Sequence, residues 1–320
     1  MIKPFFDYIY TVITSDHPNL FFFKWVLILA IIILCITVYK YTAPPVEKVE
    51  TFTQLEPFVL KQNAAIYDIF YAELYDVLHD TDKRIQAELI EVIRLTNPTH
   101  KYTTFLDIGC GTGNVVHELT EAGYDAYGMD TSKEMIEYAN AKFPDINLLH
   151  KNAMDTMTFE SSTFTHILCT YFTIYQFDNK RLFFRNCYHW LKPNSFLIVH
   201  LVDPTTFTRM IPASNNAMGP KRIRRGERTV ITQLERFDDY QYKMEVELPV
   251  GGTSSAAMIE TFTDNGTGHI RQNEHALFME PLDTILEMAK SAGFIVHGKA
   301  NMKKCNGDDN QFLYVFERTM

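Results

Sequence analysis

Apolar and polar positions change their period several times along this chain, and each change marks an element. Residues 20–39 are almost wholly apolar, with Lys24 as the one charge. That length matches a bilayer core, which takes about 20 helical residues. Trp25, Tyr39 and Tyr41 stand near the two ends, where interface aromatics sit. The pattern predicts a transmembrane helix over 20–41, after a tail of 1–19 and before a linker, 42–52, stiffened by Ala43-Pro44-Pro45. A buried core helix and a cleaved signal peptide are the alternatives. The run 25–38 has no polar face, and no small-x-small cleavage site follows closely.

Beyond residue 53 the pattern is that of one folded domain, 53–320. A helical period over 56–78 puts Ile66, Phe70, Leu74 and Val77 on one face. A second, over 82–95, aligns Ile85, Leu89 and Ile93 and stops at Asn97-Pro98. Short apolar strands then alternate with helices. The strands fall at 103–108, 125–129, 146–150, 166–170 and 196–202, and the helices at 114–122, 133–142 and 180–190. Thr131-Ser132-Lys133-Glu134 has the form of a capping box. Such alternation predicts an α/β fold with a parallel sheet and helices on both faces.

Between 204 and 281 the period becomes two. Tyr240, Tyr242, Met244, Val246 and Leu248 alternate with Gln241, Lys243, Glu245 and Glu247. Strands over 230–237, 240–248, 257–262 and 269–278, separated by Gly251-Gly252 and Asn265-Gly266, predict a small antiparallel sheet inserted here. A helix over 282–292 and strands over 294–298 and 312–317 complete a seven-stranded, mostly parallel sheet.

Composition narrows the function. The formal net charge is -9, against a broad nucleic-acid face, which would be basic. Cys35, Cys110, Cys169, Cys187 and Cys305 form no C-x-x-C pair and read as free thiols of a reducing compartment. No metal-ligand spacing occurs.

The candidate chemistry sits where the first strand ends, at Asp107-Ile108-Gly109-Cys110-Gly111-Thr112-Gly113, with Met129-Asp130 closing the next strand. Glycines belong where a cofactor lies against bare backbone. An acid at the end of the second strand can accept both ribose hydroxyls. The dinucleotide fingerprint is G-x-G-x-x-G, whereas the spacing here is G-x-G-x-G with Asn114 next. That favours a nucleoside with an amino-acid tail over a pyrophosphate.

With Asn152-Ala153, the stretch from Cys169 to Tyr175 and Trp190-Leu191-Lys192-Pro193 in the same order, residues 65–318 resemble a class I S-adenosylmethionine-dependent methyltransferase. Ala72-Glu73-Leu74-Tyr75-Asp76 and Glu274-His275 ahead of Pro281 resemble small-molecule, including amino-sugar, N-methyltransferases. The resemblance implies a Rossmann-like fold and S-adenosylmethionine as cofactor. It implies that Asp107, Gly109, Cys110, Gly111 and Gly113 form the turn around the methionine and ribose. Asp130 would hold the ribose hydroxyls, with Met129, Thr131, Asn152, Ala153 and Cys169 around the adenine side.

Catalytic candidates are residues expected at the strand ends or over them: Tyr171, Tyr175, His200, Tyr75 and His275. Each also has an ordinary packing role open to it. The basic run with Lys221, Arg222, Arg224, Arg225 and Arg228 reads as a loop near the substrate mouth. It is a solvated loop or a contact for anionic headgroups. The expectation is methyl transfer to a small-molecule or membrane-associated acceptor by a membrane-held domain in the cytosol. An inactive scaffold, or a protein or RNA methyltransferase, is the alternative. No Asn/Asp-Pro-Pro-Tyr/Phe motif stands at Cys169-Thr170-Tyr171-Phe172.

Overall fold

The computed structural model describes Tyr10, residues 24–26 and 28–34, and then 55–79, 81–211, 217–225, 228–249 and 255–320. The chain divides into two units, 1–51 and 52–320. In the first, residues 24–26 and 28–34 are helical, with Trp25, Leu29 and Leu34 exposed. Among the described residues no helix is long and apolar enough to cross a membrane. Most of the expected span 20–41, its tail and its linker lie outside the described residues.

The second unit opens with a departure from the expected helix over 56–78. Phe58–Gln62 is a strand (β1), a short 3-10 turn covers Asn63–Ile66, and only Ile69–Leu78 is α-helix (α1). Asn63 takes a left-handed φ of 50°, which a continuous helix forbids. The buried face of α1 is Tyr71, Ala72, Leu74 and Leu78, and Val77 points to solvent. The second helix, α2, spans Thr81–Thr96 and buries Ile85 and Val92.

Alternation then follows much as the pattern requires. The elements are β2 (Thr104–Ile108), α3 (Asn114–Glu121), β3 (Asp125–Asp130), α4 (Lys133–Lys142), β4 (Asn147–His150), β5 (Phe164–Cys169), α5 (Lys180–Trp190) and β6 (Leu191–Val202). The cap of α4 is Ser132, one residue later than the expected box. Its hydroxyl accepts from the Met135 N–H at 3.0 Å, so Met135 and not Glu134 is the third helical residue.

The segment after β6 holds β7 (Ala217–Arg225), β8 (Arg228–Arg236), β9 (Tyr240–Pro249), β10 (Ser255–Asp264) and β11 (Ile270–Phe278). The chain closes with α6 (Leu282–Ser291), β12 (Phe294–Asn301), α7 (Lys303–Asn306) and β13 (Gln311–Arg318). Two sheets result. One has seven strands in the order β12-β13-β6-β5-β2-β3-β4. In it β6, β5, β2, β3 and β4 are mutually parallel, and β13 runs antiparallel between β6 and β12. Its middle is covered on both faces, so Ile167, Leu168, Ile198 and Val199 are fully buried.

The other sheet has six strands in the order β1-β11-β10-β9-β8-β7. It is not built from the 204–281 segment alone, because β1 pairs parallel with β11, Phe58 opposite Ile270. The basic run is not a loop. Its residues form strands β7 and β8, with Arg225 opposite Arg228. Arg222 bonds the carbonyls of Pro204, Thr205 and Phe207, and Arg228 pairs with Glu247.

The order of the large sheet fixes where a ligand can enter. From β2 the chain moves outward through β3 and β4, then returns to β5 on the other side of β2. That reversal opens a crevice beyond the carboxyl ends of β2 and β5.

Candidate active site

The turn after β2 is shaped by backbone that only glycine adopts cheaply. Gly109, Gly111 and Gly113 have φ of 73°, 50° and 80°. The N–H groups of Gly109 and Cys110 both donate to the Met129 carbonyl, at 2.8 and 3.1 Å, which sews the turn to the end of β3. Asp130 then accepts from the Gly111 N–H at 2.9 Å on one oxygen and from the Ser132 N–H at 2.9 Å on the other. Burial pushes its carboxyl up, and the amide donors pull it back down in part.

Helix α1 is pinned over this turn at both ends. At its start Asp68 caps the Tyr71 N–H at 3.2 Å and receives Arg271 of β11 in a two-pronged pair at 3.0 and 3.1 Å. Near its end Asp76 accepts from Thr112 Oγ1 at 2.7 Å, Asn114 Nδ2 at 2.9 Å and Lys142 Nζ at 2.7 Å. One helix is thereby fixed to the second sheet and to the glycine turn at once. It carries Tyr71 and Tyr75, with His79 at its C-cap.

The loop after β5 is held under backbone strain. Tyr171 and Phe172 are consecutive non-glycine residues at φ of 51° and 39°. The strain delivers the Tyr171 ring to His79, with Tyr171 Oη 2.8 Å from His79 Nδ1 and 2.9 Å from the Met210 carbonyl. Lys180 braces the loop from behind. Its buried ammonium donates to the carbonyls of Phe177 and Phe278 and pairs with Glu280.

A cavity of about 950 Å³, mouth included, lies between these parts. One end is lined by Gly109, Gly111, Met129, Asp130, Thr131, Met135, Lys151 and Ala153. The other is lined by Tyr67, Tyr71, Tyr75, His79, Tyr171, Gln176, Phe177, Met210, Met244, Met258, His275 and Leu277. A smaller cavity of about 350 Å³ adjoins the same turn, lined among others by Asp107, Cys110, Thr112 and Arg84. Burial lowers His79 to about 3 and His275 to about 4, so both are neutral near pH 7. Burial raises Glu260, which accepts from the hydroxyls of Tyr71 at 2.8 Å and Tyr242 at 2.6 Å just behind the wall.

The sequence candidates divide cleanly by position. Tyr75, Tyr171 and His275 line the large cavity, as do Gly109, Gly111, Met129, Asp130, Thr131 and Ala153. Asp107 and Cys110 face the smaller one. Five others line neither cavity. The Tyr175 hydroxyl is buried on the backbone of Val202, and His200 lies between the Phe172 N–H and Gln311. Cys169 is fully buried in the core. Asn152 turns its side-chain oxygen to the Met154 N–H, and the neighbouring Lys151 lines the cavity instead. Gly113 serves packing, since a Cβ there would stand 3.0 Å from Ile146 and 3.1 Å from Ala139.

Sequence reasoning missed Tyr67, Tyr71, His79, Arg84 and the methionines Met135, Met210, Met244 and Met258. Tyr71 belongs to the same helical face as Tyr75 at a four-residue spacing, a signal that was available. His79 has no sequence signal, because its 2.8 Å partner is Tyr171, ninety-two residues on.

The residues present fit S-adenosylmethionine. A side chain at Gly111 would occupy the open space of the cradle, where no protein atom lies within 4 Å of the ideal Cβ. Asp130 keeps lone pairs on both oxygens for a diol, and the apolar Met129, Met135 and Ala153 suit a base.

Comparison with known proteins points the same way. Residues 106–199 match the family model of a methyltransferase domain. The chain is 28% identical over 85 residues to the dTDP-3-amino-3,4,6-trideoxy-alpha-D-glucopyranose N,N-dimethyltransferase of Streptomyces venezuelae, covering 26% of this chain and 36% of that enzyme. It is 25% identical over 147 residues to the biotin biosynthesis bifunctional protein BioHC of Teredinibacter turnerae, covering 42% of this chain and 25% of that one. It thus spans about a quarter to a third of the length of these curated relatives. Among solved structures, the CcbJ methyltransferase of Streptomyces caelestis superposes with a TM-score of 0.60 at 14% identity, over 80% of this chain and 99% of that one. This likeness is one of fold.

Proposed function

We propose that this chain, which carries an S-adenosylmethionine-dependent methyltransferase domain, methylates a nitrogen or oxygen of a small-molecule acceptor. One observation carries the reading. Asp130 is fixed by two backbone amides at one end of a cavity whose other end is lined by tyrosines, two histidines and methionines. When bound, the cofactor supplies an electrophilic methyl on a sulfonium, so the protein contributes mainly position and dryness.

The residues divide that work. Asp130 accepts the ribose hydroxyls, and Thr131, Met129, Lys151 and Ala153 surround the base. Gly109, Gly111 and Tyr75 flank the methionine end, with Asp107 and Arg84 across the smaller cavity. Tyr71, Tyr171, His79 and His275 hold the acceptor. Burial of the aromatic wall excludes water from the reacting atoms. Asp130, at the cofactor end, is the one carboxylate lining the large cavity among the described residues, and the apolar, buried acceptor end disfavours an ammonium. An amine acceptor would therefore be favoured neutral, the form that attacks. The amino-sugar N,N-dimethyltransferase among the relatives supports nitrogen as the acceptor atom.

The apolar run 20–39 and the exposed apolar side chains of residues 25–34 support a membrane station for the enzyme, with the catalytic domain in the cytosol. Lys221, Arg224 and Arg225 on the β7–β8 hairpin would then meet anionic headgroups.

Calorimetric titration with S-adenosylmethionine, with NADH as control, tests the core of the reading. Micromolar binding of the former alone is expected, and its absence from a folded protein would refute the function. Loss of membrane sedimentation on deleting residues 1–45 tests the anchoring.

A further inference from the structure

Inside the proposed methyl-transfer site, His79 lines the cavity and carries a hydrogen-bond acceptor that bears on what the acceptor molecule brings. The Met210 carbonyl takes the proton of the Tyr171 hydroxyl at 2.9 Å. That hydroxyl has only one proton. Its 2.8 Å contact with His79 Nδ1 must therefore be a donation from Nδ1–H. His79 is neutral, so its other nitrogen, Nε2, carries a lone pair. The Tyr71 hydroxyl stands 3.5 Å from Nε2, at the long limit of a hydrogen bond. Tyr71 gives its proton to Glu260 at 2.8 Å, and Glu260 is anchored further by Tyr242 at 2.6 Å. His79 lines the cavity, so Nε2 is an acceptor held in place with no proton assigned to it.

The surroundings define the rest of the molecule. The wall beside His79 is made of Met210, Met244, Met258, Leu277 and Phe177. Methionine is adaptable and prefers apolar or aromatic surfaces. The charged side chains lining this cavity, among the described residues, are Asp130 and Lys151, both at the cofactor end. A phosphate at the acceptor end would meet no cation there.

We propose that the acceptor is an apolar-bodied, uncharged molecule bearing an N–H or O–H group, which it donates to His79 Nε2 while the methionine wall holds its body. This rests on the methyl-transfer reading and narrows its substrate class away from sugar nucleotides.

The test uses the full chain saturated with S-adenosylhomocysteine and three probes followed by calorimetry: 2-naphthol, 2-methoxynaphthalene and dTDP. The two naphthalenes differ in the one donor. The naphthol is expected to bind about five- to tenfold more tightly than the ether, the worth of one hydrogen bond. In His79→Phe the preference should fall below about twofold while S-adenosylhomocysteine affinity stays that of the unaltered chain. Nitrogen-15 NMR of the unaltered chain gives a second readout if that variant does not fold. It should show the Nδ1–H tautomer, with the Nε2 resonance shifted by naphthol and not by the ether. Equal binding of the two naphthalenes, binding of neither, a preference that survives in His79→Phe, or tighter binding of dTDP would overturn the proposal. Failure of the unaltered chain to bind S-adenosylhomocysteine would overturn both this and the methyl-transfer reading, whereas the other failures leave that reading standing.

Discussion

Adding one methyl group at Gly109 separates two costs that the turn imposes. Gly109 sits at φ 73°, where an L-residue costs about 1–2 kcal/mol. The added Cβ would also stand 2.6 Å from Thr173 Cγ2 and 3.0 Å from its Oγ1. Overpacking of that kind costs about 1–3 kcal/mol. Against these, the lost freedom of the unfolded chain returns about 0.4–1 kcal/mol. Gly109→Ala should therefore destabilise by about 2–4 kcal/mol. In a Thr173→Ala background the nearest remaining Thr173 atom is the Cβ at 3.5 Å, an ordinary contact. Only the backbone part then survives, about 1 kcal/mol. Urea unfolding of the four proteins of this double-mutant cycle gives the coupling directly. A cost that is the same in both backgrounds would refute the steric argument and leave backbone conformation as the whole effect.

Other outcomes follow from the same geometry. Asp130→Asn removes the charge proposed to meet the ribose diol, and calorimetry should show S-adenosylmethionine affinity falling by about tenfold or more. Lys180→Met leaves the Phe177 and Phe278 carbonyls and Glu280 without their buried cation, and urea unfolding should register a loss of about 3–5 kcal/mol. A loss under about 1 kcal/mol would show that the loop after β5 does not depend on it. His166 packs between Phe105 and Phe196 with its Nε2 buried and unbonded and its Nδ1 3.0 Å from Thr165 Oγ1, so in His166→Phe relief of the one and loss of the other should nearly cancel, leaving stability near neutral pH within about 1 kcal/mol of the unaltered chain. Burial lowers His166 to about 4, below the unfolded value of about 6.5, so the unfolded state binds more protons between those limits. Stability contributed by neutral His166 is lost as pH falls through that window. The Phe variant should therefore lose less stability than the unaltered chain between pH 7 and pH 4.5, and equal losses would contradict the assignment.

The parts of the molecule that were legible in the sequence are those set by local signals. β2, β3 and β5 are short apolar runs that end at or just before Gly109, Asp130 and Cys169, and the helices after them are capped by Gly113, Ser132 and Asn179. The misread parts depend on distant partners. β1 gains its hydrogen bonds from β11, some two hundred residues on, and nothing within 56–62 announces them. β7 is an edge strand rich in arginine, so its residues show little of the apolar alternation that marks β9. In the site, the glycine turn and Asp130 were readable because backbone conformation demands particular residue types. Tyr175 and His200 stand at the correct ends of strands, but a one-residue change of facing turns each into the core. His79 is brought to the cavity wall in contact with Tyr171, whose hydroxyl is fixed by the Met210 carbonyl, and by no pattern of its own.

The parallel pairing of β1 with β11 also makes the molecule a mechanical element. A pull on the chain at Phe58 along the strand acts in shear, loading the pairs from Phe58 with Ile270 to Gln62 with Glu274 together rather than peeling them one by one. The residue after Glu274 is His275, and Leu277 follows two further on, both in the cavity wall. A load on β1 is thus borne by the same strand that carries His275 and Leu277 of the cavity wall.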